Sequence, residues 1–485
     1  MRITDSNIQS SILDDRQTNR QVRTTILRLA WPVVMRMLFQ GIVGMVDIMM
    51  VGRLGPSSIA AVSVANRLVF ILIGALQALA VGATALVAQY TGAGRKKQAN
   101  QVVWQALMGA FLLAVLLSTI GLIFAPSMIR GMLSLMENID ESVVQQATIY
   151  LRIILISMIF GLPQILINAI FQGFGDMKTP LYIMTIGNLL NVVGNYVLIF
   201  GVGPFPALGV TGAAIATGFA RVVGCSIGLF FLIRGTAYTR LDLKQISFCL
   251  NVRILRNILG IGIPASLEQF TRQSVMIVYS FLVASLGTLS LAANEILMNV
   301  QAISFMPGFG LGVAATTLVG QSLGANNKEL AERYGLETMK LGVLVMGSAA
   351  VIFLIWPQLL ISLYTNDPQV LREATSSMRI VGFLQPLVAV YIILAGALRG
   401  AGDTKWVLYV TFIGNWGVRL VLGVIVAFYF SFGLIGFWVV NAIDIAVRAL
   451  LIFCRYRSGL WKTRVIEDVR VPSKETVVVG PSGLK

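Results

Sequence analysis

Histidine is absent from the sequence. Its absence removes the commonest metal ligand and general base, so a histidine-dependent catalytic mechanism is excluded. Cysteine is scarce. Cys225, Cys249 and Cys454 cannot all pair with one another, and all fall near the side assigned below to the cytoplasm, where thiols stay reduced; no disulfide framework is expected. No phosphate-binding loop ending in Gly-Lys-Ser/Thr occurs, which disfavours an ATP-driven pump. Gly308, Gly310 and Gly312 lie in an apolar stretch beside Pro307 with no strand before them, so they read as close helix packing and a kink, not a nucleotide loop. Charge is thin as well: 12% of residues are charged, where a soluble domain carries about 25%.

What fills the space is apolar. Hydrophobic residues make up 56% of the 485, too many to cover with polar surface in water, so lipid must be the solvent. Apolar runs of bilayer-spanning length recur from end to end, at about 25–50, 60–90, 101–125, 149–172, 180–201, 210–234, 258–284, 291–321, 336–362, 378–399, 406–429 and 432–455. The expected fold is therefore an all-α integral membrane protein of twelve transmembrane helices. The formal net charge of +16 is distributed as topology demands. Arg95-Lys96-Lys97, the basic stretch Arg234–Arg256, and Arg455, Arg457, Lys462 and Arg464 share one side, while Glu137, Asp140 and Glu141 lie on the other. The positive-inside rule then places both termini in the cytoplasm. Basic loops of this kind favour anionic headgroups, so the partner is the bilayer and not nucleic acid. Residues 1–24 lack the order of a cleavable signal, so the first span is expected to direct insertion.

The chain is built twice. Leu54-Gly55 and Ala60-Ala61 recur as Leu286-Gly287 and Ala292-Ala293, an offset of 232. At that offset VGATALVAQYTGA (81–93) matches VAATTLVGQSLGA (313–325) at eight of thirteen positions, against roughly one expected at ordinary residue frequencies. GFGDMKTPLYIMTIGN (173–188) matches GAGDTKWVLYVTFIGN (400–415) at nine of sixteen, with an offset of 227. Six spans per half is an even number, so the halves are parallel repeats about an axis along the membrane normal. Such a pair encloses a central cavity, and rocking the lobes exposes it to each side in turn. The expected division is a 1–24 cytoplasmic segment, a first six-helix lobe at 25–234, a basic linker at 235–257, a second lobe at 258–455 and a 456–485 tail.

GMVDIMMVGRLG (44–55), the VGATALVAQ and VAATTLVGQ pair, and FQGFGDMKTP with LRGAGDTK resemble the multidrug and toxic compound extrusion (MATE) transporters over essentially the whole chain. The resemblance implies two six-helix lobes and cation-coupled antiport of small organic, often cationic or amphiphilic, drug-like compounds. No cofactor is expected beyond the coupling ion, sodium or a proton. A monomer in the cell membrane is expected. A flippase for lipid-linked saccharides is the nearest alternative, and a membrane enzyme a distant one.

Ionisable residues inside spans cost about 2.5–3.5 kcal/mol at the bilayer centre and so mark function by default. Asp47 stands in the first span without a cation nearby in sequence, and the repeat puts Tyr279 at its second-half position. Asn188, Asn191 and Asn195 form one stripe on the fifth span. Asn188 has a counterpart in Asn415, whereas Asn191 and Asn195 map to Val418 and Leu422. Interhelical hydrogen bonding and a first-lobe ion site both remain open for this stripe. The resemblance implies the ion site, with Asp47, Asn191, Asn195 and Thr217 as its members. A carboxylate with neutral oxygens suits sodium, and the same carboxylate can take a proton instead. The repeat also sets Arg36 opposite Glu268, four residues past Pro32 and Pro264, and an Arg36–Glu268 inner gate is expected when the inner side closes. Snorkelling charges, or Glu268 paired with Arg272, would be the alternative. Asp444 and Arg448, four apart on the last span, are expected to neutralise each other.

Overall fold

The computed structural model describes residues 17–134, 140–236, 251–429 and 432–464; Glu137, Cys249 and most of the expected linker and tail lie outside them. Among the described residues, twelve long helical rods run in sequence. The first six are α1 (Asn19–Gly52), α2 (Pro56–Gly92), α3 (Lys96–Leu133), α4 (Glu141–Phe174), α5 (Lys178–Phe200) and α6 (Gly209–Arg234). The second six are α7 (Val252–Ala284), α8 (Thr288–Gly324), α9 (Lys328–Ile355), α10 (Pro368–Gly400), α11 (Thr404–Tyr429) and α12 (Gly433–Arg457). A short helix, Pro357–Ser362, lies between α9 and α10, and no strand occurs among the described residues.

Eleven rods are long and apolar enough to cross a membrane. The twelfth, α7, is of similar length at 33 residues but carries Glu268, Gln269 and Arg272 in its middle. Most helices extend beyond the expected apolar runs, because such runs ignore polar helical turns; two starts show how. Helix α1 begins at Asn19, where Thr18 and Gln21 form a reciprocal capping box with Thr18 N donating to Gln21 Oε1 at 2.8 Å. Helix α7 begins at Val252, where Asn251 Oδ1 accepts from the Arg253 and Ile254 amides at 3.1 and 3.3 Å. The basic linker is shorter by that much.

Large apolar side chains such as Leu112, Leu116, Ile123 and Phe124 on α3, and Leu344, Val351 and Ile355 on α9, point outward. In water these belts would be untenable; in lipid they are the solvated surface. Inside, one core joins α2–α6 and a second joins α8–α12, but each recruits a visitor. Val22, Ile26, Leu29, Ala30 and Val33 of α1 pack into the second core, and Ile258 and Ile261 of α7 pack into the first. The exchange is confined to the face where α1 and α7 begin, here called the basic face. There the lobes approach at backbone distance. A methyl added at Gly262 would strike the Ala78 carbonyl, and one at Gly310 would meet the Ala30 carbonyl at 3.1 Å. These two crossings are the same contact in the two repeats, with glycine on α7 in one and on α8 in the other and alanine at each partner position. A third core, in the outer half of the second lobe, contains no first-lobe residue. The lobes are thus closed together on the basic face and part toward the other.

Candidate functional site

Between the lobes lies a cavity of about 900 Å³, within the range that takes a drug-sized molecule. Its wall includes Arg36, Gln40 and Asp47 of α1, Asn188 and Asn191 of α5, Thr217 and Arg221 of α6, Glu268 and Arg272 of α7, and Arg399 of α10. Arg36, Asp47, Asn191, Thr217 and Glu268 therefore converge on one space, although they come from helices far apart in the chain, and Asn195 lies buried behind its wall.

Asp47, Asn191, Asn195 and Thr217 form one hydrogen-bonded group. Asn195 Nδ2 donates to Asp47 Oδ1 at 2.7 Å and to Asn191 Oδ1 at 3.4 Å, and Asn191 Nδ2 donates to Thr217 Oγ1 at 3.1 Å. The chain of bonds ties α1 to α5 and α6. Asn195 is 1% exposed, and its Oδ1 is buried with no donor. A buried acceptor without a partner costs about 1–3 kcal/mol, so the group is short of one positive or proton-bearing member. Oxygens of a carboxylate, two amides and a hydroxyl fit a hard monovalent cation or a proton. A softer metal is not favoured, because the group offers neither thiolate nor imidazole.

The equivalent place in the second lobe is built differently. Tyr279, the counterpart of Asp47, donates from its hydroxyl to the Phe437 carbonyl at 2.9 Å, and the Arg419 guanidinium lies 4.0 Å from its ring centroid. Arg419 belongs to a π-helical stretch of α11, Ile413–Leu420, where α5 at the same repeat position is regular α-helix. Arginine at 419 was not singled out by sequence, and the repeat could have found it, since it follows Val418, the partner of Asn191. A tethered cation thus occupies the second lobe where the first lobe presents a carboxylate. Nearby, Arg448 Nη2 donates to Asp444 Oδ2, so that expected pair forms and is buried.

Arg36 and Glu268 both line the cavity, but the ion pair expected between them is not formed in this closed-basic-face state. Glu268, 1% exposed, is held by Arg399, with Nη2–Oε1 at 2.7 Å and Nε–Oε2 at 3.2 Å, and by Arg272 at 3.5 Å. Arg36 instead faces the Gln172 side-chain amide, whose oxygen, turned to satisfy both groups, accepts from Nη1 and Nη2 at 2.9 and 3.3 Å. Gln172 and Arg399 are themselves repeat equivalents, one residue before Gly173 and Gly400. The same α1–α4 contact therefore recurs as α7–α10 with the charges rearranged. A buried carboxylate takes the partner that satisfies both oxygens at once, and Arg399 offers that fork.

Comparison with known proteins agrees with this architecture. The MatE family model matches residues 32–197 and 264–425, the two repeats in turn. The chain is 30% identical over 448 residues to the probable multidrug resistance protein NorM of Thermotoga maritima, covering 92% of this chain and 94% of that one. It is 30% identical to the multidrug resistance protein MdtK of Yersinia pseudotuberculosis serotype O:1b, covering 89% and 94%. Among solved structures, a MATE transporter in its bent conformation superposes with a TM-score of 0.84 at 24% identity, covering 94% of this chain and 99% of that one. An outward-facing multidrug resistance MATE family transporter of the MOP superfamily gives 0.83 at 24%, covering 93% and 97%. Fold and repeats define a two-lobed membrane transporter. The chain belongs to the MatE family, and it is a multi-pass transporter, not an enzyme.

Proposed function

We propose that this protein exports small amphiphilic organic compounds across the cell membrane by alternating access, driven by the influx of a cation bound at Asp47. The observation that carries the coupling assignment is the orphaned oxygen of Asn195, the residue whose Nδ2 bonds the Asp47 carboxylate, in a site that the second lobe lacks. Sodium or a proton bound there completes the oxygen cluster and neutralises the one carboxylate that links α1 to α5. Loss of that charge changes which packing of α1 is preferred, and a ligand shifts an equilibrium only through such differential binding. Asn191, Asn195 and Thr217 position Asp47 and supply neutral oxygens. Asn takes a place where a second acid would hold a cation more strongly, so the site carries a single negative charge.

The basic face is the cytoplasmic one in this reading, as the Lys/Arg distribution favours, with both termini inside. The structure is then the outward-facing state, and the protein works as a monomer embedded in lipid. A flippase of lipid-linked saccharides is the second reading, favoured by the guanidinium groups of the cavity wall. The deciding experiment reconstitutes the protein in liposomes and imposes sodium and proton gradients separately. Substrate movement should follow one gradient and vanish in Asp47→Asn. Undiminished gradient-driven movement by that variant would overturn the assignment.

A further inference from the structure

The cavity wall carries four guanidinium groups, Arg36, Arg221, Arg272 and Arg399, against two carboxylates, Asp47 and Glu268, a formal excess of two positive charges. Which of these charges are available decides what can bind. Glu268 is consumed by Arg399 and Arg272. Asp47 is hydrogen-bonded to Asn195. Asp47 is the one carboxylate on the wall without a cationic partner, and the proposed coupling ion claims it. The guanidinium groups are in the opposite position. Arg36 and Arg221 enter no ion pair among the described residues: Arg36 meets the neutral Gln172 amide, and Arg221 Nη1 donates to Ser157 Oγ at 2.9 Å and to the Ile154 carbonyl at 3.5 Å.

Their placement is ordered. Gln164, Asn168 and Gln172 of α4 line the cavity four residues apart, a polar stripe on one helix face. Arg221 lies against Gly161 near the middle of α4, with Cδ 3.1 Å from where a methyl would stand, and Arg36 lies at Gln172 near its basic-face end. Eleven residues separate 161 from 172, or roughly 16 Å of helix rise. The uncompensated positive charge therefore runs along the first-lobe wall. A further donor, Asn188 Nδ2, is buried on the same wall without an acceptor. Apolar groups line the same cavity, Phe70, Ile73 and Ile165 from the first lobe and Phe309, Val313 and Ile392 from the second.

We infer that the cavity selects amphiphiles bearing an anionic group, a sulfonate, carboxylate or phosphate, which docks on Arg36 and Arg221 while its apolar body lies on the apolar side chains of the same cavity. This replaces the cationic preference expected from the family resemblance, because positive groups outnumber negative ones on the wall and Asp47 is its one carboxylate without a cationic partner. Arg over Lys suits the role: a planar fork meets an oxyanion with two parallel bonds, and it keeps its charge when buried. The inference rests on the transport reading only in taking this cavity as the substrate path.

A matched pair of probes tests it: naphthalene-1-sulfonate and 1-naphthyltrimethylammonium, which share one apolar body and differ in charge. Binding to the purified, full-length protein in nanodiscs of neutral lipid is measured calorimetrically, without any gradient. The sulfonate should bind at least tenfold more tightly. Arg36→Gln and Arg221→Gln should each weaken it several-fold and leave or improve ammonium binding, whereas Arg36→Lys should retain most of it; thermal melting identifies any variant that fails to fold. Tighter binding of the ammonium, abolished by Asp47→Asn, overturns the inference, as does sulfonate binding indifferent to both glutamine variants. Repeating the titration with phosphatidylglycerol in the nanodiscs separates sources. Competition assigns the site to a lipid headgroup, and its absence to a free organic anion. Gradient-driven transport is scored separately, so failure of ion coupling leaves this binding result standing, and the reverse.

Discussion

Gln89 Nε2 donates to the Gly400 carbonyl at 3.1 Å, and Gln321 Nε2 donates to the Gly173 carbonyl at the same distance. The two glutamines are repeat equivalents, as are the two glycines, so each lobe reaches across to the same carbonyl of the other. Around them the backbones touch: a methyl at Gly92 would strike the Gln321 carbonyl, and one at Gly324 the Gln89 carbonyl. Both glutamines are buried. These bonds cross the lobe boundary at the basic face, so they must break whenever that face opens.

An interhelical side-chain bond in a membrane averages about 0.6 kcal/mol, so the pair together holds the closed face by roughly fivefold to tenfold in population. Gln89→Ala and Gln321→Ala should therefore shift the protein toward basic-face opening by similar amounts, with a larger shift in the double variant. Spin labels at Lys97→Cys and Glu329→Cys, equivalent exposed positions on that face, read the separation. Unequal effects of the two variants would contradict a symmetric latch.

Gly92→Ala and Gly324→Ala act on the same boundary by bulk instead of bonding. The added methyl has only a backbone carbonyl to meet, which cannot rotate aside. Each should widen the same spin-label distance and reduce substrate movement, while Gly131→Ala, where open space surrounds the added group, should do neither.

Asn191→Ala and Asn195→Ala should impair ion-driven transport far more than Asn415→Ala. The first two hold the Asp47 group together, and their repeat partners Val418 and Leu422 have no such task. Initial rates in liposomes under an imposed gradient make the comparison. Equal losses would reduce the stripe to interhelical packing.

Arg399→Met removes the bidentate partner of a buried carboxylate and should cost about 3–5 kcal/mol of stability, read as a lowered thermal transition. Arg36→Met removes only a bond to a neutral amide and should cost clearly less. Exchanging the charges, Arg36→Glu with Glu268→Arg, should not recover the activity of either single variant, because it sets an arginine beside Arg399 and Arg272. Recovery would instead restore a direct Arg36–Glu268 gate.

Membrane embedding, the duplication and the first-lobe location of Asp47 were legible in the residues. Apolar run length responds directly to bilayer thickness, and repeated motifs survive as letters. The grouping of Asp47, Asn191, Asn195 and Thr217 followed from family resemblance and unequal repeats, and the fold brings them within hydrogen-bonding distance. Partner choice was not legible. Arg36 and Glu268 align in the repeat, yet alignment gives equivalence about an axis, not contact across it; the fourth helix of each lobe supplies the nearer partner. The crossover of the inner halves of α1 and α7 into opposite cores, the Gln89 and Gln321 bonds, and the excess of unpaired guanidinium groups on the cavity wall depend on how the two six-helix lobes meet in three dimensions. Sequence determined which residues are costly in lipid; only the tertiary structure decided which of those costs are cancelled by a neighbour and which are left facing the cavity.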